Sequence, residues 1–311
     1  MLEGEILSLQ PNTKILIIGG RGFIGSQLVQ CFGARYNVTI LSQTKVQSVI
    51  LGYNFVSFDY TEENFLTFLR DNPFDVIHFL SGNPHPSCSE TEPFLDIELT
   101  IMPVLSILNA LQKVSYKGSV WFASSVAVYG NSPDAILNEE SACVPLSNYG
   151  VAKLTVESYA KHYSRTFDLN IGVYRIFSTY GPGLKRQVIY DNILKMQRGE
   201  AEILLASTEA SARDFSYVSD QALAIKFLSD KVKPRGDIFN IGSGVATKIV
   251  DLVKTIAELM EYKGSIECQT GRPLIHDVSW TADVTKISTL GFHQRYSLRK
   301  GLKDTIKSII K

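Results

Sequence analysis

The chain has 311 residues and a mass of 34.6 kDa, enough for a full hydrophobic core and for two domains, or one domain with a smaller lobe. Its 31 basic and 31 acidic residues cancel, which excludes the basic excess of a nucleic-acid binder and the charged imbalance of a disordered tail. Residues 1–11 lack the basic flank of a secretory signal, and no run approaches the ~18 consecutive apolar residues of a membrane span. The cysteines Cys31, Cys88, Cys143 and Cys268 lack paired spacing and read as reduced thiols. A soluble cytoplasmic protein is expected, with neither nucleic acid nor membrane as a partner.

In chain order, Lys14 to Ile18, Asn37 to Leu41, Phe55 to Phe58, Asp75 to Phe79, Ser119 to Ala123 and Asn170 to Arg175 read as strands. Helical spacing of three and four runs through Ser26 to Phe32, Thr61 to Arg70, Ile97 to Gln112 and a segment from Asn148. Near-continuous apolar strands joined by helices imply an α/β fold with a doubly wound parallel sheet. After Gly181 the pattern loosens, with helices expected at 188–198, 219–228 and 249–261 and turns at 233–236 and 241–244. A Rossmann-type nucleotide-binding domain is therefore expected over 13–176 with about 213–243. A smaller C-terminal substrate lobe takes 177–212 and 244–311.

Between the first strand and first helix lies Gly19-Gly20-Arg21-Gly22-Phe23-Ile24-Gly25. Glycines at this spacing allow a tight turn, close backbone approach of a pyrophosphate and a helix N-terminus facing its charge. Gly19, Gly22, Phe23, Ile24 and Gly25 are thus expected at a dinucleotide. No Asp or Glu occurs between Ile6 and Phe58, so the end of the second strand lacks the carboxylate that selects an unphosphorylated ribose. Ser42 and Lys45 there suggest NADP, with NAD as the alternative.

Tyr149 and Lys153 stand four apart at a helix start behind the N-cap Ser147, which places them on one face. A tyrosine with a pKa near 10 becomes a useful base when an ammonium favours its phenolate. It can then exchange a proton with a sugar or alcohol hydroxyl, and Ser125, ending the fifth strand, can hydrogen-bond the same hydroxyl oxygen. His85 and Cys88, three apart, have no second pair at ligand spacing, so no metal site is expected. Their loop reads as a wall of the cleft, and His78 within an apolar strand as a core histidine.

These segments, with Ser124 to Gly130 (SSVAVYG), Tyr180 to Gly183 (YGPG), Arg213 to Asp220 (RDFSYVSD), Asn240 to Gly244 (NIGSG) and the tail with Arg272, Asp277 and Asp283, resemble the extended short-chain dehydrogenase/reductases, in particular the nucleotide-sugar epimerase/dehydratase group. The resemblance implies Ser125, Tyr149 and Lys153 as the catalytic set. It places Asp59, Leu80, Ser81 and Ile176 at the cofactor, and Ser178, Arg213 and Arg272 at a nucleotide-diphosphate sugar. It also implies a homodimer paired through 97–112 and 148–163. Departures are Val126 and Ala127, where 4,6-dehydratases of the group carry an Asp-Glu pair, Thr100 and Ser178, where asparagines are usual, and Ser207-Thr208-Glu209 in place of a Gly-Asp-Gly turn. Dehydration is thereby disfavoured. The expected activity is hydride transfer at a sugar carbon, C4 by preference, as a C4 epimerase or 4-ketoreductase. The alternative from another class is a non-catalytic dinucleotide-binding sensor or scaffold.

Overall fold

The computed structural model describes residues 9–43, 53–83, 86–130, 132, 134–268 and 279–311. The N-terminal half runs β1 (Lys14–Ile18), α1 (Phe23–Phe32), β2 (Asn37–Ser42), β3 (Asn54–Ser57), α2 (Glu62–Asp71) and β4 (Val76–Phe79). One continuous helical run follows, made of α3 (Phe94–Asp96), a π-helical turn (Ile97–Ile101) and α4 (Met102–Lys113). Next come β5 (Ser119–Ser125), α5 (Asn148–Phe167) and β6 (Asn170–Ile176). The remainder comprises β7 (Ser178–Tyr180), α6 (Gln187–Gln197), β8 (Glu202–Leu205), β9 (Ala212–Tyr217), α7 (Val218–Lys231), β10 (Asp237–Ile241), β11 (Ala246–Lys248), α8 (Ile249–Leu259), β12 (Ser265–Cys268), α9 (Thr285–Thr289) and α10 (Leu298–Ile309).

Seven parallel strands form the central sheet in the order β10-β6-β5-β4-β1-β2-β3. Because strand side chains alternate, β1 sends Leu16 and Ile18 to one face and Ile15 and Ile17 to the other. The first face packs on Phe65 and Leu69 of α2, Ile107 and Leu108 of α4 and Val156 of α5. The second packs on Leu28 and Phe32 of α1 and Ile225 and Leu228 of α7. Both faces being covered explains why these strands read as unbroken apolar runs.

All six expected strands are present, and β10 is a seventh that the sequence reading passes over between its two turn signals. β9 pairs with β7 and β11 in a separate three-stranded sheet, while β8 and β12 pair with each other. The lobe has its own core, in which Ile193 of α6, Ile203 of β8, Leu252 and Ile256 of α8 and Leu302 of α10 are fully buried. The run Phe94–Lys113 is long and apolar enough to cross a membrane by length and composition. Here its buried side, with Val104, Ile107, Leu108 and Leu111, belongs to the core of the sheet domain.

Walking outward from the sheet centre, strand order reverses between β1 and β4, so the connections after these strands leave in opposite directions. That reversal opens a crevice at the C-terminal edge, where ligands of such sheets bind. Every connection relevant to the site leaves from this edge.

Candidate active site

The turn after β1 is built by glycines for steric reasons. Gly19 adopts φ +84°, and a Cβ there would stand 2.9 Å from the Ser81 amide nitrogen. At Gly25 a Cβ would come within 2.2 Å of the Gly19 carbonyl oxygen, so only glycine lets α1 start this close to β1. The turn closes through the Gly22 N–H donating to the Gly19 carbonyl at 2.9 Å. Among the described residues no side chain caps α1, and its first turn carries no acidic group. Its first amides and positive dipole end are therefore left for an anion, which fits a dinucleotide pyrophosphate. Phe23 and Ile24 open α1 beside this turn.

Neighbouring connections line the same edge. Leu80 donates its N–H to the Ile18 carbonyl at 2.8 Å, which brings Leu80 and Ser81 against Gly19. Ser42 ends β2 in a buried position, with its carbonyl accepting from Phe58 N–H at 3.0 Å. Asp59 follows β3, exposed, and its carbonyl accepts from Thr61 N–H at the start of α2. Ile176, at the end of β6, is the register partner of Ser125. Lys45 lies outside the described residues, as does Arg272.

Ser125 ends β5 and accepts a hydrogen bond from the Ala127 N–H at 3.2 Å, which fixes its hydroxyl at the edge of the sheet. Ser147 caps α5 by accepting from Gly150 N–H, as its position predicts, so Tyr149 and Lys153 occupy the first turns of that helix. The Lys153 ammonium lies 5.7 Å from the centroid of the Tyr149 ring and donates to the Ala123 carbonyl at 3.1 Å. Burial pushes this lysine down to about 8, and the Asp96 carboxylate works against that fall. Burial pushes the Tyr149 phenol above its ordinary 10; a hydrogen bond with Ser125 and the charge of Arg186 pull it back, and Asp96 adds to the rise. Ser125, Tyr149 and Lys153 thus form one cluster. It stands at the same sheet edge as the glycine turn.

On the lobe side, Ser178 begins β7, half-buried and paired in register with Phe215 of β9. Arg213 on β9 stacks its guanidinium 4.6 Å above the Trp280 ring, and its Nη1 donates to the Ala212 carbonyl. Next to it, the buried Asp214 carboxylate accepts from Ser243 N–H and Oγ, Gly244 N–H and Ala282 N–H, which pins the turn after β10 against the strand carrying Arg213. The histidine expected in the core is there: His78 is fully buried, with Nδ1 bonded to Tyr174 Oη and Nε2 to Ser229 Oγ. Among the described residues no cluster of metal-ligating side chains occurs.

Sequence reasoning missed Asp96, Arg186 and Trp280. Asp96 sits one helical step before the buried positions Thr100 and Val104, and extending that stripe backwards is the signal that marks it as interior.

Known proteins resemble the chain in sequence and in fold. The family model described as "NAD dependent epimerase/dehydratase family" matches residues 15–242. A putative UDP-glucose 4-epimerase of Methanocaldococcus jannaschii is 26% identical, the match covering 94% of this chain and 97% of that protein. An uncharacterized UDP-glucose epimerase of Bacillus subtilis, YtcB, is 27% identical over 94% of this chain and 96% of its own. Among solved structures, the UDP-glucose 4-epimerase of Thermotoga maritima with UDP-glucose superposes with a TM-score of 0.86 at 27% identity, covering 96% of this chain and 99% of that one. MoeE5, in complex with UDP-glucuronic acid and NAD, gives a TM-score of 0.83 at 29% identity, covering 95% and 98%. The expected preference for NADP gains no support here, since the family is described by NAD and the MoeE5 complex holds NAD. The chain belongs to the NAD-dependent epimerase/dehydratase family, the extended group of short-chain dehydrogenases and reductases that its sequence resembles.

Proposed function

We propose that this protein is an NAD-dependent C4 epimerase of a nucleotide-diphosphate sugar. The observation that carries the reading is the Ser125, Tyr149 and Lys153 cluster beside the glycine turn, followed by Val126 and Ala127. Neither of those side chains can move a proton, so the cluster supports hydride chemistry at a hydroxyl-bearing carbon without a route for expelling water. Similarity to UDP-glucose 4-epimerases points the same way.

Gly19, Gly22 and Gly25 with the start of α1 would hold the pyrophosphate, Asp59, Leu80 and Ser81 the adenosine half, and Tyr149, Lys153 and Ile176 the nicotinamide half. When bound, NAD supplies the hydride acceptor and, once reduced, the donor. At pH 7 Lys153 is mostly protonated, and its charge favours the Tyr149 phenolate. Tyr149 Oη takes the proton of the C4 hydroxyl as hydride leaves C4, and Ser125 Oγ donates to the same sugar oxygen. Once the ketosugar has presented its other face, Tyr149 Oη would give the proton back to the same oxygen. Arg213, held over the Trp280 ring, and Arg272 bind the diphosphate, while Ser178 contacts the sugar.

Two copies pair through α5 and the run from α3 to α4 as a homodimer, a reading supported by the apolar side chains these helices leave exposed. The purified protein, incubated with a panel of nucleotide sugars and NAD without reductant, is expected to yield the C4 isomer. Conversion only of 4-keto sugars, and only with NADPH supplied, would establish a ketoreductase instead. A protein that binds NAD and converts nothing would leave the sensor or scaffold.

A further inference from the structure

A buried carboxylate lies across the Gly82–Asn83 backbone from the Ser125, Tyr149 and Lys153 relay. Asp96 closes α3, is 2% exposed, and accepts a hydrogen bond at Oδ1 from Asn83 Nδ2 at 3.0 Å. Its Oδ2 is buried without a hydrogen-bond partner among the described residues. A buried carboxylate oxygen left this way is costly unless a cation offsets its charge. The geometry supplies one. A Cβ on Gly82 would stand 3.1 Å from Lys153 Nζ and 3.2 Å from Thr100 Oγ1, so the Gly82–Asn83 backbone is wedged between the ammonium and the helical run that carries Asp96. Thr100 accepts from the Asn83 N–H at 3.0 Å, which ties that backbone to the run. The π-turn Ile97–Ile101 begins at the next residue, and such insertions in α-helices gather at functional sites.

We infer that Asp96 is a positioning residue, whose carboxylate, held by Asn83 and the π-turn, sets the charge states in which Tyr149 and Lys153 exchange protons. This rests on the relay proposed above. Asp96 favours the protonated form of both groups, keeping the ammonium charged in a site whose burial works to neutralise it. The other charged groups around it are accounted for. Glu157, on the same helix as the relay, is closed into an ion pair with Arg175. Glu90 accepts from Asn148 N–H and Nδ2, and Glu98 on the π-turn is exposed. Arg186 at the start of α6 acts on Tyr149 with the opposite sign to Asp96. His85 lies outside the described residues.

Because Tyr149 and Lys153 are coupled, their two proton losses belong to the pair. Removing the carboxylate lowers both. In Asp96→Asn, the acidic and alkaline limbs of the kcat profile are expected to move together to lower pH, with activity at pH 9 relative to pH 7 falling about tenfold below the wild-type ratio. Asp96→Glu is expected to restore the wild-type limbs. A second readout needs no turnover: the phenolate absorbance of Tyr149, taken as the difference from the matching Tyr149→Phe protein, should titrate at lower pH in Asp96→Asn. A uniform change in kcat with unmoved limbs and an unmoved phenolate titration would overturn the inference and leave Asp96 a structural carboxylate. Asp96→Ser serves as a second neutral variant, and failure of both neutral variants to fold would likewise overturn it. If the phenolate titration moves while the wild type converts no sugar, the role of Asp96 stands and the epimerase reading falls.

Discussion

At the scale of single residues, the site is held at an energetic cost that Lys153 makes visible. Its ammonium is buried and titrates at about 8, against an ordinary value of 10.5. Below pH 8 both folded and unfolded chains hold the proton, and the folded state carries the full penalty of about 3 kcal/mol. Between pH 8 and 10.5 the unfolded chain binds more protons, so stability rises with pH across that window. In Lys153→Met that pH dependence is expected to vanish, while at pH 7 the relief from the buried ammonium is offset by the Ala123 carbonyl that loses its donor and the Asp96 carboxylate that loses its cation. Thermal melts at pH 7 and 10 check this, since the variant must lose ground to the wild type at the higher pH. The same variant should lose activity, as should Tyr149→Phe, whose kcat is expected to drop about 10²–10⁴-fold while NAD affinity, read by calorimetry, stays within about twofold. Tyr149→Phe with normal turnover would remove the tyrosine from the relay. The placement of Tyr149 and Lys153 on one helix face was legible in the sequence because a four-residue spacing behind a cap has one geometric meaning, and that of Ser125 because it closes a strand of the sheet. Asp96 was not, since between Glu92 and Glu98 an acidic residue reads as one more solvated charge unless the stripe through Thr100 and Val104 is extended back to it.

At the scale of elements, the relay stands on a buried polar brace. Glu157 of α5 pairs with Arg175 of β6 at 2.7 Å and accepts from Ser124 Oγ of β5 at 2.6 Å, while Arg175 donates to the Glu139 carbonyl and stacks 4.7 Å over the Tyr129 ring. Both ionic side chains are 4% exposed. Removing one partner leaves an uncompensated buried charge, so Arg175→Met should cost about 3–5 kcal/mol in urea unfolding. The double variant with Glu157→Leu is expected to recover most of that loss; a double variant whose cost equals the sum of the two single costs would show that the pair is not coupled. On the opposite face, His78 joins β4 to Tyr174 of β6 and Ser229 of α7 in its neutral form, pushed down to about 3 by burial. Here the unfolded chain binds the extra proton below pH 6.5, so stability must fall on acidification by up to about 1.4 kcal/mol per unit. In His78→Asn the urea midpoint should depend less on pH between 6.5 and 4. The strands beneath this brace were readable because they are apolar on both faces. β9 (ARDFSY) and β11 (ATK) were not, since strands this short or polar carry neither an apolar run nor a clean alternation, and β10 opens on an aspartate beside a turn.

At the scale of the whole molecule, the seven-stranded sheet gathers turns from β1, β2, β4, β5 and β6 at one edge, so residues more than a hundred positions apart in the chain meet around one crevice. The flank of this sheet is less complete. Phe94 is 73% exposed, Met102 53% and Val151 50%, and Ile97 and Tyr159 lie on the same packed pair, the run from α3 to α4 and helix α5. A grouping of large apolar side chains on adjoining helices is what a self-complementary two-fold contact requires, because each helix meets its own copy or its neighbour's. The same apolar character gives the run its membrane-compatible composition. The proposed contact would also bear on the site, since Val151 lies between Tyr149 and Lys153 in the chain and faces outward while they face in. The wild-type protein is expected to sediment as a dimer at micromolar concentration. Met102→Lys combined with Val151→Lys would place like charges across the proposed two-fold and should yield a folded monomer, with unchanged far-ultraviolet circular dichroism. A wild-type monomer, or a dimer indifferent to both charges, would move the contact elsewhere. Should the monomer keep NAD affinity but lose turnover, pairing would be shown to hold the first turns of α5 in register with the sheet edge.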